Sequence, residues 1–219
     1  MIRRSRLFFL VLFIFPTLAN AQTIVLGEYQ GTGQVSYSNL SEGKKLWSND
    51  DCDIAVNLTY KDSILDYSYS YYCALGSIGH APGNDYSLRF WVDSQNRIFQ
   101  IKKDGTLSKR QAGEKKGQHF QISLVGKREI KVKQFSPNIR RDFNDHFHRF
   151  CPSLRVSKVQ LVQKLFLDFT FAKDQLELER KLVAEKLPLF VSTPNCFQDL
   201  DLENQVYKTE LHHQVTLEK

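Results

Sequence analysis

The chain has 219 residues, with 30 Lys and Arg against 24 Asp and Glu, and four Cys. Its composition, 42% hydrophobic and 25% charged, excludes wholesale disorder, and its length suits one or two domains with a sizeable core. Sixteen Phe and nine Tyr beside a single Met favour strands over helices.

Arg3, Arg4 and Arg6 precede an apolar run from Leu7 to Phe15, and Ala19-Asn20-Ala21 offers small residues at a cleavage site. Residues 1–21 therefore read as a secretory signal peptide, with a retained N-terminal anchor as the alternative. The run falls short of the roughly 20 apolar residues of a membrane helix, and no later segment approaches that length. The mature chain is expected to begin near Gln22 and to be periplasmic or secreted, in an oxidising compartment. Without the three leader arginines it carries 27 basic and 24 acidic residues, a net charge of +3.

Residues 23–36 contain Ile24, Val25, Leu26, Tyr29 and Val35 but are interrupted by Gly27, Gly31 and Gly33, as in a bent strand. The clearest pattern follows. Cys52, Ile54, Val56, Leu58 and Tyr60 share one face, as do Leu65, Tyr67, Tyr69, Tyr71 and Cys73, on either side of Asp62-Ser63. A turn centred there sets 60 opposite 65, 58 opposite 67, and 52 opposite 73. With Lys61 and Ile64 closing the turn, all these pairs are of the non-hydrogen-bonded type, about 4.5 Å apart at Cα, a spacing that accepts a disulfide. Four Cys allow three connectivities; register favours Cys52–Cys73, leaving Cys151 and Cys196 for each other.

Residues 86–92 and 97–101 read as a second hairpin, and 102–118 as a basic loop. Residues 119–125 and 128–135 read as a third hairpin turning at Gly126. Ser136-Pro137 resembles an N-cap followed by Pro at the first helical position, and Ile139, Phe143, Phe147 and Phe150 recur at helical spacing. This predicts a helix over 137–150. Leu165, Leu167, Phe169 and Phe171, then Leu176, Leu178, Arg180 and Leu182, alternate across a turn at 172–175, although 176–186 also has helix-forming composition. Residues 206–217 close the chain, with His213, Val215 and Leu217 on one face. The expected fold is all-β: an up-and-down antiparallel barrel of about ten strands, a single domain over 22–219 with a helical insertion at 136–155.

Gly27-Glu28-Tyr29-Gln30-Gly31-Thr32-Gly33 resembles the G-x-W-x-G-x-G opening of nitrobindin-like proteins, within the lipocalin-like (calycin) group, with Tyr29 in place of Trp. The hairpin at 169–178 and the strand at 211–217 resemble that family's last strands. The resemblance covers both ends of the mature chain and implies the barrel fold. In that family a His on the final strand ligates haem, which makes His212 and His213 the candidate axial ligands. The leader, the cysteines, the 136–155 insertion and Tyr29 depart from the family pattern, so no cofactor is assigned.

No nucleophile elbow, phosphate loop or zinc-protease motif occurs. Ser77 and His80 are close in sequence without implying a triad, and Asp142, His146 and His148 read as exposed helix residues rather than metal ligands. The chain reads as a non-enzyme. Tyr60, Tyr67, Tyr69 and Tyr71 fall on the apolar face, so their hydroxyls need partners inside the barrel, and a pocket for a small apolar or amphipathic ligand is the first functional expectation. The second is an envelope interaction surface. Residues 97–141 hold 13 basic residues, among them Lys102, Lys103, Lys109, Arg110, Lys115 and Lys116, against three acids. That local charge of +10 suits an anionic lipid, glycolipid or protein partner. Specific nucleic-acid recognition is not expected.

Overall fold

The computed structural model describes residues 24–74, 80–82, 86–152, 154, 156–172, 174–189, 196 and 206–219. The expected leader and Ser77 lie outside these residues. Among the described residues eleven strands follow one another: β1 (Ile24–Asn39), β2 (Lys44–Lys61), β3 (Ile64–Ala74), β4 (His80–Pro82), β5 (Tyr86–Val92), β6 (Arg97–Ile101), β7 (Leu107–Lys116), β8 (His119–Lys131), β9 (Lys158–Phe171), β10 (Gln175–Leu189) and β11 (Tyr207–Glu218). All pairings are antiparallel. β1 pairs with both β2 and β11, and β2 pairs with β3, so ten strands close a ring while the short β4 lies beside the end of β3. The all-β barrel with one short helix is as expected.

The register of the first long hairpin follows from its turn. Asp62 and Ser63 both have left-handed φ, 51° and 65°, the signature of a primed turn whose twist matches the strands. Lys61 pairs with Ile64, and the register then runs unbroken to Cys52 opposite Cys73. Those two form a disulfide at a Cα separation of 4.3 Å. Cys151 and Cys196 form the second, tying the end of the helix to the β10–β11 connection. The pairing of β9 with β10 is also as read, Phe171 opposite Leu176 and Leu165 opposite Leu182, and 176–186 is strand rather than helix.

Two strand readings are corrected. Most of the basic loop is strand: β7 covers Leu107–Lys116, leaving only a turn at 102–106 in which Asp104 accepts from the backbone and hydroxyl of Thr106. The 119–135 hairpin does not exist. Gly126 sits inside the continuous β8, opposite Gln163, because β9 offers a partner along the whole length of β8. β2 starts at Lys44, well before the alternating segment, because β1 pairs with it as far as Asn39.

Two glycines are needed by close approach. A Cβ on Gly33 would lie 2.6 Å from Val215 Cβ, and one on Gly113 would lie 1.8 Å from the Gln121 carbonyl oxygen. Gly33 thus lets β1 bend tightly over β11 where the ring closes.

The inward residues form two cores. The larger fills the barrel with stacked rings: Tyr67 on Tyr69 and on Phe169, at 6.3 and 6.2 Å, and Phe169 on Phe120 at 5.1 Å. Beyond it the inner face of the long strands continues and is covered by α1 (Pro137–His148), capped by Ser136 as read. Phe143 and Phe147 pack there with Val132, Val159 and Tyr207. His146 is buried in this second core, 5% exposed and edge-on to Phe147 and Tyr207, which corrects its reading as an exposed helix residue. Arg149 extends to Glu42 at 3.1 Å, joining the end of the helix to the β1–β2 turn.

Lys186 is buried in this region, its ammonium donating to Thr209 Oγ1 at 2.8 Å and lying 5.0 Å from the Tyr207 ring centre. Burial pushes it down to about 8 from the usual 10.5. The folded state therefore loses this proton before the unfolded chain does, so stability should rise as pH climbs from about 8 toward 10.5. The full gain is about 3 kcal/mol, and unfolded tyrosines confine the visible window to below about pH 10. Lys186→Met is expected to raise the urea midpoint near neutral pH and to flatten this rise. An unchanged rise in the variant would place its source elsewhere.

Candidate functional site

Alternation puts Tyr60, Tyr67, Tyr69 and Tyr71 on the inner face, but they occupy different depths. Tyr60 lies at the end of the barrel near the 61–64 turn, edge-on to Phe120, with the Lys115 ammonium 5.8 Å from its ring centre. Tyr67 and Tyr69 are packed into the ring stack, 1% and 2% exposed. Tyr71 stands two residues nearer the opposite end and lines a cavity of about 330 Å³ at the barrel mouth.

Leu124, Leu165, Leu182 and Leu211 form the apolar wall of this cavity, and Gln100, Gln163 and Arg180 supply its polar groups. Four strands contribute the leucines because each carries an inward residue at this height: Leu124 pairs with Leu165, Leu165 with Leu182, and Leu182 with Leu211. Arg180 is the residue that the sequence reading passed over. It occupies an inward position of β10 between Leu178 and Leu182, is 6% exposed, and its guanidinium lies 4.9 Å from the Tyr69 ring centre. A cation at an apolar phase position was the available signal.

Beneath the mouth, the Tyr69 hydroxyl and His213 Nδ1 are hydrogen-bonded, and Tyr71 meets the His213 ring edge-on at 4.6 Å. Burial, then the nearby Arg180 charge and His212, push His213 down to about 3. Burial likewise raises Tyr69 far above the ordinary phenol value, so it stays protonated. His212 faces the other way, 3.0 Å from Glu179 on the outer wall.

A haem bound to His213 would need its Nε2 and a clear slot beside it. The ring is enclosed by Tyr69 and Tyr71 and has no exposed surface, and a mouth of about 330 Å³ lies at the small end of ligand pockets. These residues do not fit a porphyrin.

The four family-like positions have structural work. Tyr29 is 2% exposed and packs on Phe171, Gly31 and Gly33 admit the side chains of Leu217 and Val215, and Gly27 has a φ of 107°. Lys102 and Lys103 occupy the β6–β7 turn, and Lys109 and Arg110 are exposed on β7. Lys116 is paired with Glu114 at 2.5 Å. His148 reaches the Leu154 carbonyl at 3.0 Å, and among the described residues no three His, Cys, Asp or Glu side chains gather as a metal site. No described helix is long and apolar enough to cross a membrane.

His213 makes the barrel acid-sensitive. Its folded value is depressed, so the unfolded chain takes up the proton first, and the stability it confers is present above about pH 6.5 and lost as pH falls toward 3. Between about pH 6.5 and 4.5 the loss is roughly 2–3 kcal/mol. His213→Gln is expected to lose correspondingly less stability over the same range, measured by urea denaturation. Equal losses in both proteins would assign the acid response to the carboxylates alone.

Compared with known family models, curated proteins and solved structures, the chain matches none.

Proposed function

We propose that the protein is an exported binding protein that holds one small amphipathic molecule at the barrel mouth. The observation that carries this reading is the cavity of about 330 Å³ itself, with four leucines on its walls and Arg180, Tyr71, Gln100 and Gln163 as its polar groups. An apolar wall with few convergent polar groups is the usual composition of a small-molecule site. The ligand's apolar body rests on the leucines and its polar end is directed to Arg180. The ring stack below is the floor rather than the binding chamber, so Tyr71, of the four tyrosines, touches the ligand. The leader-like N-terminus supports export, and the two disulfides suit an oxidising compartment. A distant lipocalin-like origin accords with the consecutive antiparallel ring.

An uncharged apolar fluorophore such as N-phenylnaphthylamine tests the pocket. Native protein is expected to give saturable enhancement at one site per chain. Leu182→Trp, which fills the mouth, should lower the affinity roughly tenfold or more, about 1.4 kcal/mol, with the unfolding midpoint little changed. Native protein that never enhances the fluorophore, or a Leu182→Trp variant that binds it equally well, would overturn the reading.

A further inference from the structure

Outward positions on most of the wall formed by β2, β3 and β5 are small or polar: Asn57, Ser68, Ser70 and Ser87 lie there in a shallow groove. Toward the 61–64 turn the same wall changes character. Ile64 pairs with Trp91, and Trp91 with Phe99, so three adjacent strands place a row of large apolar side chains on the outside of the barrel. Trp91 is 36% exposed and its ring centre is 5.8 Å from that of Phe99. The next outward pair is Ile101 with Leu107, and Leu107 is 44% exposed. The barrel core does not need these residues, since Phe90, Val92 and Ile98 fill the inner face of the same strands.

The charge around this row is mixed, with an excess of basic side chains. Residues 97–116 carry seven basic side chains against Asp104 and Glu114. Lys102, Lys103 and Lys109 are exposed around Ile101 and Leu107, while Arg89 and Arg97 flank the row, held by Asp66 and Asp93 at 2.6 and 2.7 Å. Arg97 also lies 5.8 Å from the Phe99 ring centre. Trp beside exposed apolar residues and unburied lysines is the composition of a surface that sits at a bilayer interface, with rings at headgroup depth and cations on anionic lipid.

We propose that the outer wall of β3, β5, β6 and β7 docks the barrel on an anionic lipid bilayer, with Trp91, Phe99, Ile101 and Leu107 entering the headgroup layer. Lys102, Lys103 and Lys109 hold it there by charge. The strands of the ring stay paired, and the contact is peripheral. Gln100, which lines the mouth cavity, immediately precedes Ile101 in β6. The docking does not depend on that cavity being occupied.

The protein contains two tryptophans, Trp47 and Trp91, so a Trp47→Phe background makes Trp91 a direct reporter. Mixed with vesicles of phosphatidylcholine and phosphatidylglycerol, the disulfide-intact protein is expected to co-sediment and its Trp91 emission to shift to the blue. Phosphatidylcholine alone should give neither effect. Raising salt from about 0.1 M to 1 M, which shortens the screening length from about 10 to 3 Å, should release it. The triple variant Lys102→Glu, Lys103→Glu, Lys109→Glu should lose at least about tenfold in partition while keeping its unfolding midpoint. Leu182→Trp, read by co-sedimentation alone, should dock as the native protein does, which separates this test from that of the pocket. Partition that ignores anionic lipid or is untouched by the triple variant would overturn the proposal. So would a Trp91 shift seen with envelope proteins but not with vesicles.

Discussion

Closing ten antiparallel strands into a ring commits every second side chain to one shared interior, whatever its chemistry. That constraint is strict because the strand period is two, and a shift of one residue would turn whole strands inside out. It gathers Tyr67, Tyr69, Phe120 and Phe169 into one stack. It also carries inward three groups that would prefer water, Arg180, His213 and Lys186, each 6% exposed or less. Burying a polar or charged group is costly unless its surroundings compensate, so these three define where the interior stops being a plain apolar core. They lie at successive heights. His213 and Arg180 top the ring stack, the leucine-lined mouth follows, and Lys186 sits among the aromatics under the helix.

The same periodicity explains what could be read from the chain. Between Cys52 and Cys73 almost every inward position is apolar or aromatic and almost every outward one polar, so register, turn and disulfide all followed from one alignment. β9 and β10 were legible for the same reason from Leu165 to Leu182. β7 was not. Lys109, Arg110 and Gln111 give it no alternation, because it pairs with β8 only between Gly113 and Lys116 and with β6 through two irregularities. A strand whose faces are not sharply divided between core and water writes no pattern. Gly126 misled in the opposite sense: a glycine in an exposed half-strand, with no positive φ and nothing within 4 Å of its missing Cβ, marks no turn. The candidate site was half visible. The inward tyrosines were evident, but their depth in the barrel was not, since depth depends on which of ten strands stand beside them. Arg180 was in plain view within the alternating run, and only the closed ring shows that its position leaves it buried beside a cavity.

The two disulfides act on the two cores separately. Cys52–Cys73 spans 21 residues and closes the hairpin two positions beyond Tyr71, at the mouth end of the ring. Cys151–Cys196 spans 45 residues and fastens the end of the helix to the connection between the last two strands. In the chain-entropy view, loops of these lengths are restrained by about 3 and about 4 kcal/mol respectively. The longer bridge acts where it is most needed. The second core is small, rests on a 12-residue helix and contains buried Lys186 and His146, so packing alone gives it little margin.

This division assigns the mouth a mechanical character. It lies on one continuous inner face between a barrel core fixed by ring stacking and a helix-covered core fixed by a covalent bridge. Leu182 and Leu211 belong to the strands that run through both. Filling the mouth with more leucine would merge the two cores and gain burial, yet the face is interrupted there by Arg180, Gln163 and Gln100. Polar groups in a potential core position are a stability cost that packing does not require, and such costs concentrate where a protein meets something other than itself. The side chains that keep the two cores apart are therefore the ones from which the proposed binding site is built.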